Sequence, residues 1–132
     1  MRNTLVKFGS YLLIFATAVC CEDILEVPDI SKETVTLLAP KNNTTVEDSQ
    51  VTLSWTEVAE ADAYLVQLAT PNFENASQLL LDSLVVVDST FVAPRVTKTL
   101  DNNMYEWRVR AANSGYQTEY SSGNFSVEAS EN

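Results

Sequence analysis

The sequence predicts an all-β antiparallel sandwich, and two observations carry this prediction. From Thr34 onward, short runs rich in Val, Leu, Thr and aromatic residues recur about every ten residues, with turn-forming residues between them. In the clearest runs, apolar and polar residues alternate with period two, as they do in strands with one buried face. About seven such strands in roughly 95 residues are typical of an immunoglobulin-like sandwich.

The first half of the chain supplies three predicted strands. The run "TVTLLAP" is the first and ends at Pro40, and "KNNTT" is predicted to be a turn. In "QVTLSW", every second residue up to Trp55 is apolar, and the same holds for "AYLVQL" from Tyr64 onward. Both runs therefore predict half-buried strands, the second of which closes before Pro71.

The middle of the chain is predicted to form short, interrupted strands. In "SQLLLDSLVVVDSTFVAP", the pairs Asp82-Ser83 and Asp88-Ser89 have the chemistry of turns. Short strands are therefore predicted at 78–81 and 84–87, with 75–81 as the only candidate helix. The run "VTKTL" predicts a further short strand, followed by the turn "DNN".

The clearest strand is "MYEWRVRAA", in which apolar residues alternate with charged ones. Period two places Arg108 and Arg110 together on the outward face. The run "GNFSVEA" predicts the last strand. The aromatic residues expected to be largely buried between the two sheets are Trp55, Tyr64, Tyr105, Trp107 and Phe125.

The N-terminus predicts a secretory signal. Arg2 and Lys7 form a basic region, and a mostly apolar stretch follows from Phe8 to Val19. This stretch is shorter than the roughly 20 residues that a membrane-spanning helix needs. A basic region followed by a short apolar region is the pattern of a cleaved signal peptide.

The two cysteines of the chain are adjacent and end this stretch. The segment "AVCCED" resembles a bacterial lipoprotein signal, in which a cysteine is diacylated and becomes the new N-terminus. Cys21 is the favoured site, because small Cys20 precedes it and acids follow it; Cys20 is the alternative. A disulfide between neighbours would distort the backbone. The predicted organisation is a signal peptide helix (1–20), a flexible acidic tether (21–33), a domain (34–128) and a tail (129–132).

Two stretches resemble fibronectin type III domains. In "VTLSWTEVAEADAYLVQLAT", Trp55 and Tyr64 occupy the places of the tryptophan that ends the second strand and the tyrosine that opens the third. In "LDNNMYEWRVRAANSGY", Tyr105 occupies the place of the corner tyrosine. The layout, with acids after the anchor, resembles small surface-exported lipoproteins of Bacteroidetes. This resemblance implies anchoring in the outer membrane, facing outward or alternatively facing the periplasm, and in some relatives a role in glycan handling.

Composition limits the chemistry. The chain has no histidine and has 18 acidic against 8 basic residues, for a formal net charge of −10. Such a charge disfavours nucleic acid as a partner. A Ser–His or Cys–His pair is impossible, and a small sandwich offers no deep cleft for a carboxylate pair. We therefore predict a non-enzyme with no cofactor and no metal. Calcium needs six or more oxygen ligands, so Glu57, Glu60 and Asp62 predict a solvated acidic turn.

Four residues are candidate surface sites. Arg108 and Arg110 could bind an anionic glycan or a partner's carboxylates; the alternative, which we expect, is that each pairs with a carboxylate or carbonyl of a neighbouring strand. Ser83 in "DSL" and Ser89 in "DST" resemble a short O-glycosylation signal of exported Bacteroidetes proteins, and the alternative is an ordinary Asp-Ser turn.

The predicted function is a lipid-anchored, extracytoplasmic, non-catalytic binding or assembly module, accessory to glycan capture or adhesion. The alternative is a passive spacer or envelope-structural lipoprotein without a ligand. The membrane, through the lipid, and a protein or glycan are the predicted partners, and the sequence leaves the oligomeric state open. An exposed aromatic or apolar patch outside the core would favour the binding module, and a uniformly acidic surface would favour the spacer.

Overall fold

The computed structural model describes residues 25–131, so Cys20, Cys21 and the predicted signal peptide lie outside the described residues. The described part forms eight strands and no helix, and thus no helix that is long and apolar enough to cross a membrane. The strands are β1 (Leu37–Ala39), β2 (Thr44–Val46), β3 (Gln50–Trp55), β4 (Ala63–Thr70), β5 (Gln78–Val86), β6 (Arg95–Thr99), β7 (Asn103–Ala112) and β8 (Ser121–Val127).

The strands form two sheets, which confirms the predicted sandwich. One sheet has the order β1-β3-β6, and the other has the order β2-β8-β7-β4-β5. Every strand pair is antiparallel except β2 with β8. The Tyr105 hydroxyl donates to the carbonyl of Asp101 at 2.6 Å, which is the tyrosine corner of immunoglobulin-like sandwiches.

The core lies between the sheets and contains all five predicted aromatic residues. Each is at most 3% exposed, and the two tryptophans are at most 1% exposed. Trp55 packs against Tyr64 with ring centroids 5.6 Å apart, and Tyr105 packs against Phe125 at 5.4 Å. Both tryptophans are therefore core residues and cannot serve as stacking platforms for sugars. Among the described residues, the buried hydrophobic side chains run from Ile30 to Val127.

The predicted turn after the first strand contains the start of a short strand that belongs to the other sheet. β1 ends at Ala39, and β2 begins at Thr44 and pairs with β8, so "KNNTT" contributes two residues to a strand. Pro40 has no N–H to donate to a ladder, which ends β1. Asn43, with φ of 60°, turns the chain toward the other sheet. The sandwich thus has eight strands where about seven were predicted.

The middle segment is one strand, which corrects both the predicted turn at Asp82-Ser83 and the candidate helix. β5 pairs with β4 from Val86 opposite Ala63 to Gln78 opposite Thr70. Asp82 is accommodated because its carboxylate accepts a hydrogen bond from Gln67 Nε2 on β4 at 3.1 Å. The long ladder therefore outweighs the local turn preference.

The folded domain is longer at both ends than the predicted 34–128. Ile30 is 2% exposed and belongs to the core, and Asn113 Nδ2 donates to the carbonyl of Pro28 at 2.8 Å. At the other end, the backbone of Ala129 both donates to and accepts from the Asn102 side chain. Part of the predicted tether and the start of the predicted tail thus pack against the sandwich.

Candidate functional site

The outer face of the five-stranded sheet carries the two arginines singled out from the sequence. On β7, the residues at alternate positions are buried, and Glu106, Arg108 and Arg110 between them are half-buried on the opposite face. This confirms the predicted alternation of this strand. The two guanidiniums therefore leave the same side of a central strand, on a rigid part of the fold.

Arg108 is held by one hydrogen bond and two aromatic rings. Its Nε donates to Gln67 Oε1 at 2.7 Å, and Gln67 in turn donates to the Asp82 carboxylate. The guanidinium carbon lies 4.1 Å from the ring centroid of Phe73 and 4.4 Å from that of Tyr120. Such cation–π contacts stabilise an arginine in one orientation.

Phe73 reaches this position because a loop folds over the sheet. The residue lies between β4 and β5, and its backbone N–H donates to Glu106 Oε1 at 2.8 Å. Glu106 is the acidic residue nearest to the two arginines in sequence. Its carboxylate therefore holds the loop that carries the Phe73 ring.

Arg110 differs from Arg108 in its polar contacts. Its guanidinium carbon lies 4.6 Å from the ring centroid of Tyr120, and its Nε is buried without a hydrogen-bond partner. The expectation that each arginine meets a carboxylate or carbonyl of a neighbouring strand is thus wrong for Arg110 Nε. For Arg108, the partner is the side-chain amide oxygen of Gln67 on β4.

We name the set Phe73, Arg108, Arg110 and Tyr120 the arginine–aromatic cluster. Rings that pack on a guanidinium leave its N–H edge for polar ligands, and this edge matches a carboxylate with two parallel hydrogen bonds. The cluster can therefore bind an anion edge-on. Sequence reasoning missed both rings, because Phe73 arrives on a loop and Tyr120 arrives through the register of β8 against β7.

A second feature of the same sheet is its apolar edge, formed by β5. Leu79, Leu84 and Val86 of β5 are exposed apolar side chains, and so is Val87, which directly follows the strand. These residues lie outside the core, so they form an exposed apolar patch on an otherwise acidic protein. The sequence did not reveal the patch, since the run was divided at Asp82.

The remaining candidates lie elsewhere. Ser83 is a half-buried residue within β5, opposite core residue Val66, so the turn expected around it is absent. Ser89 is exposed in a turn, where the Asp88 carboxylate accepts hydrogen bonds from the Thr90 hydroxyl and from the Thr90 backbone N–H. These two bonds lower the pKa of Asp88. Within residues 25–131, no group of three or more Asp, Glu, His or Cys side chains is placed to hold a metal.

Comparison with known proteins adds the fold alone. No protein-family model matches the chain, and no curated protein matches it. Among solved structures, the chain is similar to a computationally redesigned β-sandwich protein, with 17% identity, a TM-score of 0.48, and coverage of 74% of this chain and 94% of the other. It is also similar to CopC from Methylosinus trichosporium OB3b, with 16% identity, a TM-score of 0.48, and coverage of 75% and 98%.

Proposed function

We propose that this protein is a lipid-anchored, non-catalytic binding module at the outer membrane of a bacterium, facing outward, that takes acidic glycans on the outer face of its five-stranded sheet. The observation that supports this proposal is the arginine–aromatic cluster. The two guanidiniums leave the same face of β7, and both pack on the ring of Tyr120.

The charge balance makes this arrangement informative. The chain has 18 acidic residues against 8 basic ones, so carboxylates for internal pairing are abundant. Nevertheless, Arg108 Nε is paired with an amide, and Arg110 Nε is left without an acceptor. Within residues 25–131, neither Nε is therefore paired with one of the chain's own carboxylates.

A ligand carboxylate would bind at the guanidinium edges. In this proposal the terminal nitrogens of Arg108 and Arg110 are the donors, and a uronic acid offers a carboxylate with two acceptor oxygens. The overall negative charge opposes this ligand at long range. At physiological ionic strength the Debye length is about 8 Å, so the local positive pair outweighs distant acids.

The alternative of a passive spacer has less support. A spacer needs no exposed apolar surface, whereas Leu84 is 61% exposed and Val86 is 49% exposed on the edge of this sheet. The cluster and the apolar edge are both outside the core, and neither is required to hold the two sheets together.

The glycan part of the proposal is tested by binding of polygalacturonate, with neutral dextran as the comparison, at physiological salt. We expect the double variant Arg108→Gln/Arg110→Gln to bind at least about tenfold more weakly, a loss of about 1.4 kcal/mol. The matched control is Arg95→Gln/Lys98→Gln, which removes two positive charges from β6 in the other sheet and should leave binding unchanged.

Other outcomes separate the alternatives. Binding of poly-glutamate in place of polygalacturonate, with the same dependence on the arginines, would indicate an acidic protein partner. A folded wild-type protein that binds neither polymer would favour the spacer.

The anchor is tested separately by mass spectrometry of the mature N-terminus. We expect loss of residues 1–20 and acylation at Cys21, since two or more acyl chains give stable anchoring. A retained signal or an unmodified cysteine contradicts the anchor, and acylation at Cys20 corrects the site alone.

A further inference from the structure

The edges of the two sheets are protected unequally. In the described part of the chain the sheets end in β1 and β6, and in β2 and β5. β1 and β2 are three residues long, and β6 carries Arg95 and Lys98 and follows Pro94. Short length, basic side chains and proline are the usual devices that keep an edge strand from pairing with another chain.

β5 has none of these devices between Leu81 and Val86. The strand is nine residues long, contains neither proline nor a basic residue, and has Asp82 as its single charge. Its ladder with β4 shifts register once, between Leu81 and Leu79, and is regular from Leu81 to Val86. The backbone groups on its other side are left without a strand in the described part of the chain. The side chains beside this open ladder are apolar, with Leu84 at 61% exposure.

We infer that β5 pairs with β5 of a second copy of this chain, in antiparallel orientation, which joins two five-stranded sheets into one sheet of ten strands. The segment Leu84–Val86 is apolar at every position, so it can pair with the same segment running in the opposite direction. With the two-fold axis at Val85, Leu84 lies opposite Val86 of the partner subunit, and Val85 lies opposite itself. Directly opposite residues of an antiparallel pair share a face, so apolar side chains meet on both faces of the joint.

The other edges explain why the assembly would close at two copies. A two-fold joint uses β5 of both chains, and the remaining edges are short or charged. The arginine–aromatic cluster is centred on β7, which is separated from β5 by β4, so the joint leaves it accessible. The inference does not depend on the arginine–aromatic cluster.

The salt dependence of binding distinguishes a second copy of this chain from a basic partner. Each copy carries a formal charge of −10, and Asp82 would lie near Asp88 of the partner subunit at each end of the joint. The two copies therefore repel at low salt, and added salt screens that repulsion and strengthens the dimer. A strand from a basic partner would bind more weakly as salt is added.

The first test is analytical ultracentrifugation of the domain from residue 25 to the C-terminus, which includes the buried residues from Ile30 to Val127 and contains no cysteine; circular dichroism first checks that this domain is folded. We expect a monomer–dimer equilibrium with more dimer at higher salt. Leu84→Lys should raise the dissociation constant at least about tenfold. The matched control is Met104→Lys, which adds the same charge at a position that is 65% exposed on β7 and should leave the dimer intact. Circular dichroism checks that both variants are folded.

The second test is disulfide cross-linking, which shows which residues of the two β5 strands lie opposite each other. It does not depend on the stability of Leu84→Lys. Cysteines placed at opposite positions of the joint come within reach of a disulfide, whereas diagonal positions are about 7–8 Å apart. Under mild oxidation, Val85→Cys should cross-link to itself, and a mixture of Leu84→Cys and Val86→Cys should cross-link while neither does so alone. A protein that stays monomeric over about a hundredfold range of concentration, or a dimer with another cross-linking pattern, would overturn the inference. Neither result would affect the polygalacturonate test.

Discussion

The two faces of β7 carry different chemistry on one strand. Its inward face presents Trp107 and Val109 at 0% exposure, packed among apolar residues. Its outward face presents Arg108 and Arg110, which contact aromatic rings and, for Arg108, the side-chain amide of Gln67. The difference teaches that apolar packing determines the inward residues, whereas the outward residues place two positive charges against aromatic rings at the surface of the sheet. The predictions below test this contrast, from the largest expected effect to the smallest.

The inward face should dominate stability. We expect Trp107→Ala to lower the free energy of unfolding by about 3–5 kcal/mol, because it removes a fully buried ring and leaves a cavity. Urea denaturation followed by circular dichroism measures this. The neighbouring outward change Arg108→Ala should cost less, about 1–2 kcal/mol, because it removes the cation–π contacts of a half-buried side chain and leaves no core cavity. Equal losses for the two variants would show that the faces do not differ as proposed.

A single buried hydroxyl should have the next largest effect. Tyr64 is 1% exposed, and its hydroxyl oxygen accepts a hydrogen bond from the backbone N–H of Val58 at 2.8 Å. We expect Tyr64→Phe to lower the free energy of unfolding by about 1–3 kcal/mol, since it leaves that buried N–H without an acceptor. The same substitution at Tyr116, which is 41% exposed, serves as the control and should be neutral.

Alkaline pH should weaken the inward face. Burial raises the pKa of Tyr64 and of Tyr105 above the ordinary value of 10.0. The folded state therefore keeps these protons to higher pH than the unfolded state does, and the stability that they contribute is present below pH 10 and is lost as the pH rises through the raised values. Denaturation midpoints measured from neutral to strongly alkaline pH should fall above this point. The double variant Tyr64→Phe/Tyr105→Phe should show a shallower fall, and an unchanged slope would contradict the assignment.

The smallest effect is expected where the inward face has room. Gly123 lies opposite Trp107 and is not in a left-handed conformation, and an added Cβ would lie 3.6 Å from Leu37 Cδ1 and 3.7 Å from Trp107 Nε1. These are ordinary contact distances. We expect Gly123→Ala to raise the free energy of unfolding by about 0.4–1 kcal/mol, because alanine restricts the unfolded chain. A melting temperature that falls would show that the packing around Trp107 is tighter than these distances indicate.

Strong local patterns predicted much of the fold. Alternation in β3, β4, β7 and β8 correctly placed the five core aromatic residues, and Tyr105 forms the tyrosine corner that its place in the sequence predicted. Prediction failed where local preference and long-range pairing disagreed. Asp82-Ser83 has the chemistry of a turn, yet the ladder with β4 carries the strand through it. The first predicted strand also gave no sign that Pro40 would separate two sheets.

The candidate site was predicted in part for the same reason. The sequence by itself determined that Arg108 and Arg110 share one face, because side chains two apart on a strand point the same way. Only the tertiary structure decided that Phe73 and Tyr120 meet them, that Arg110 Nε has no partner, and that β5 is an open apolar edge. These contacts join residues that are distant in the chain, and their geometry depends on strand register and sheet order, which the period of a single strand does not encode.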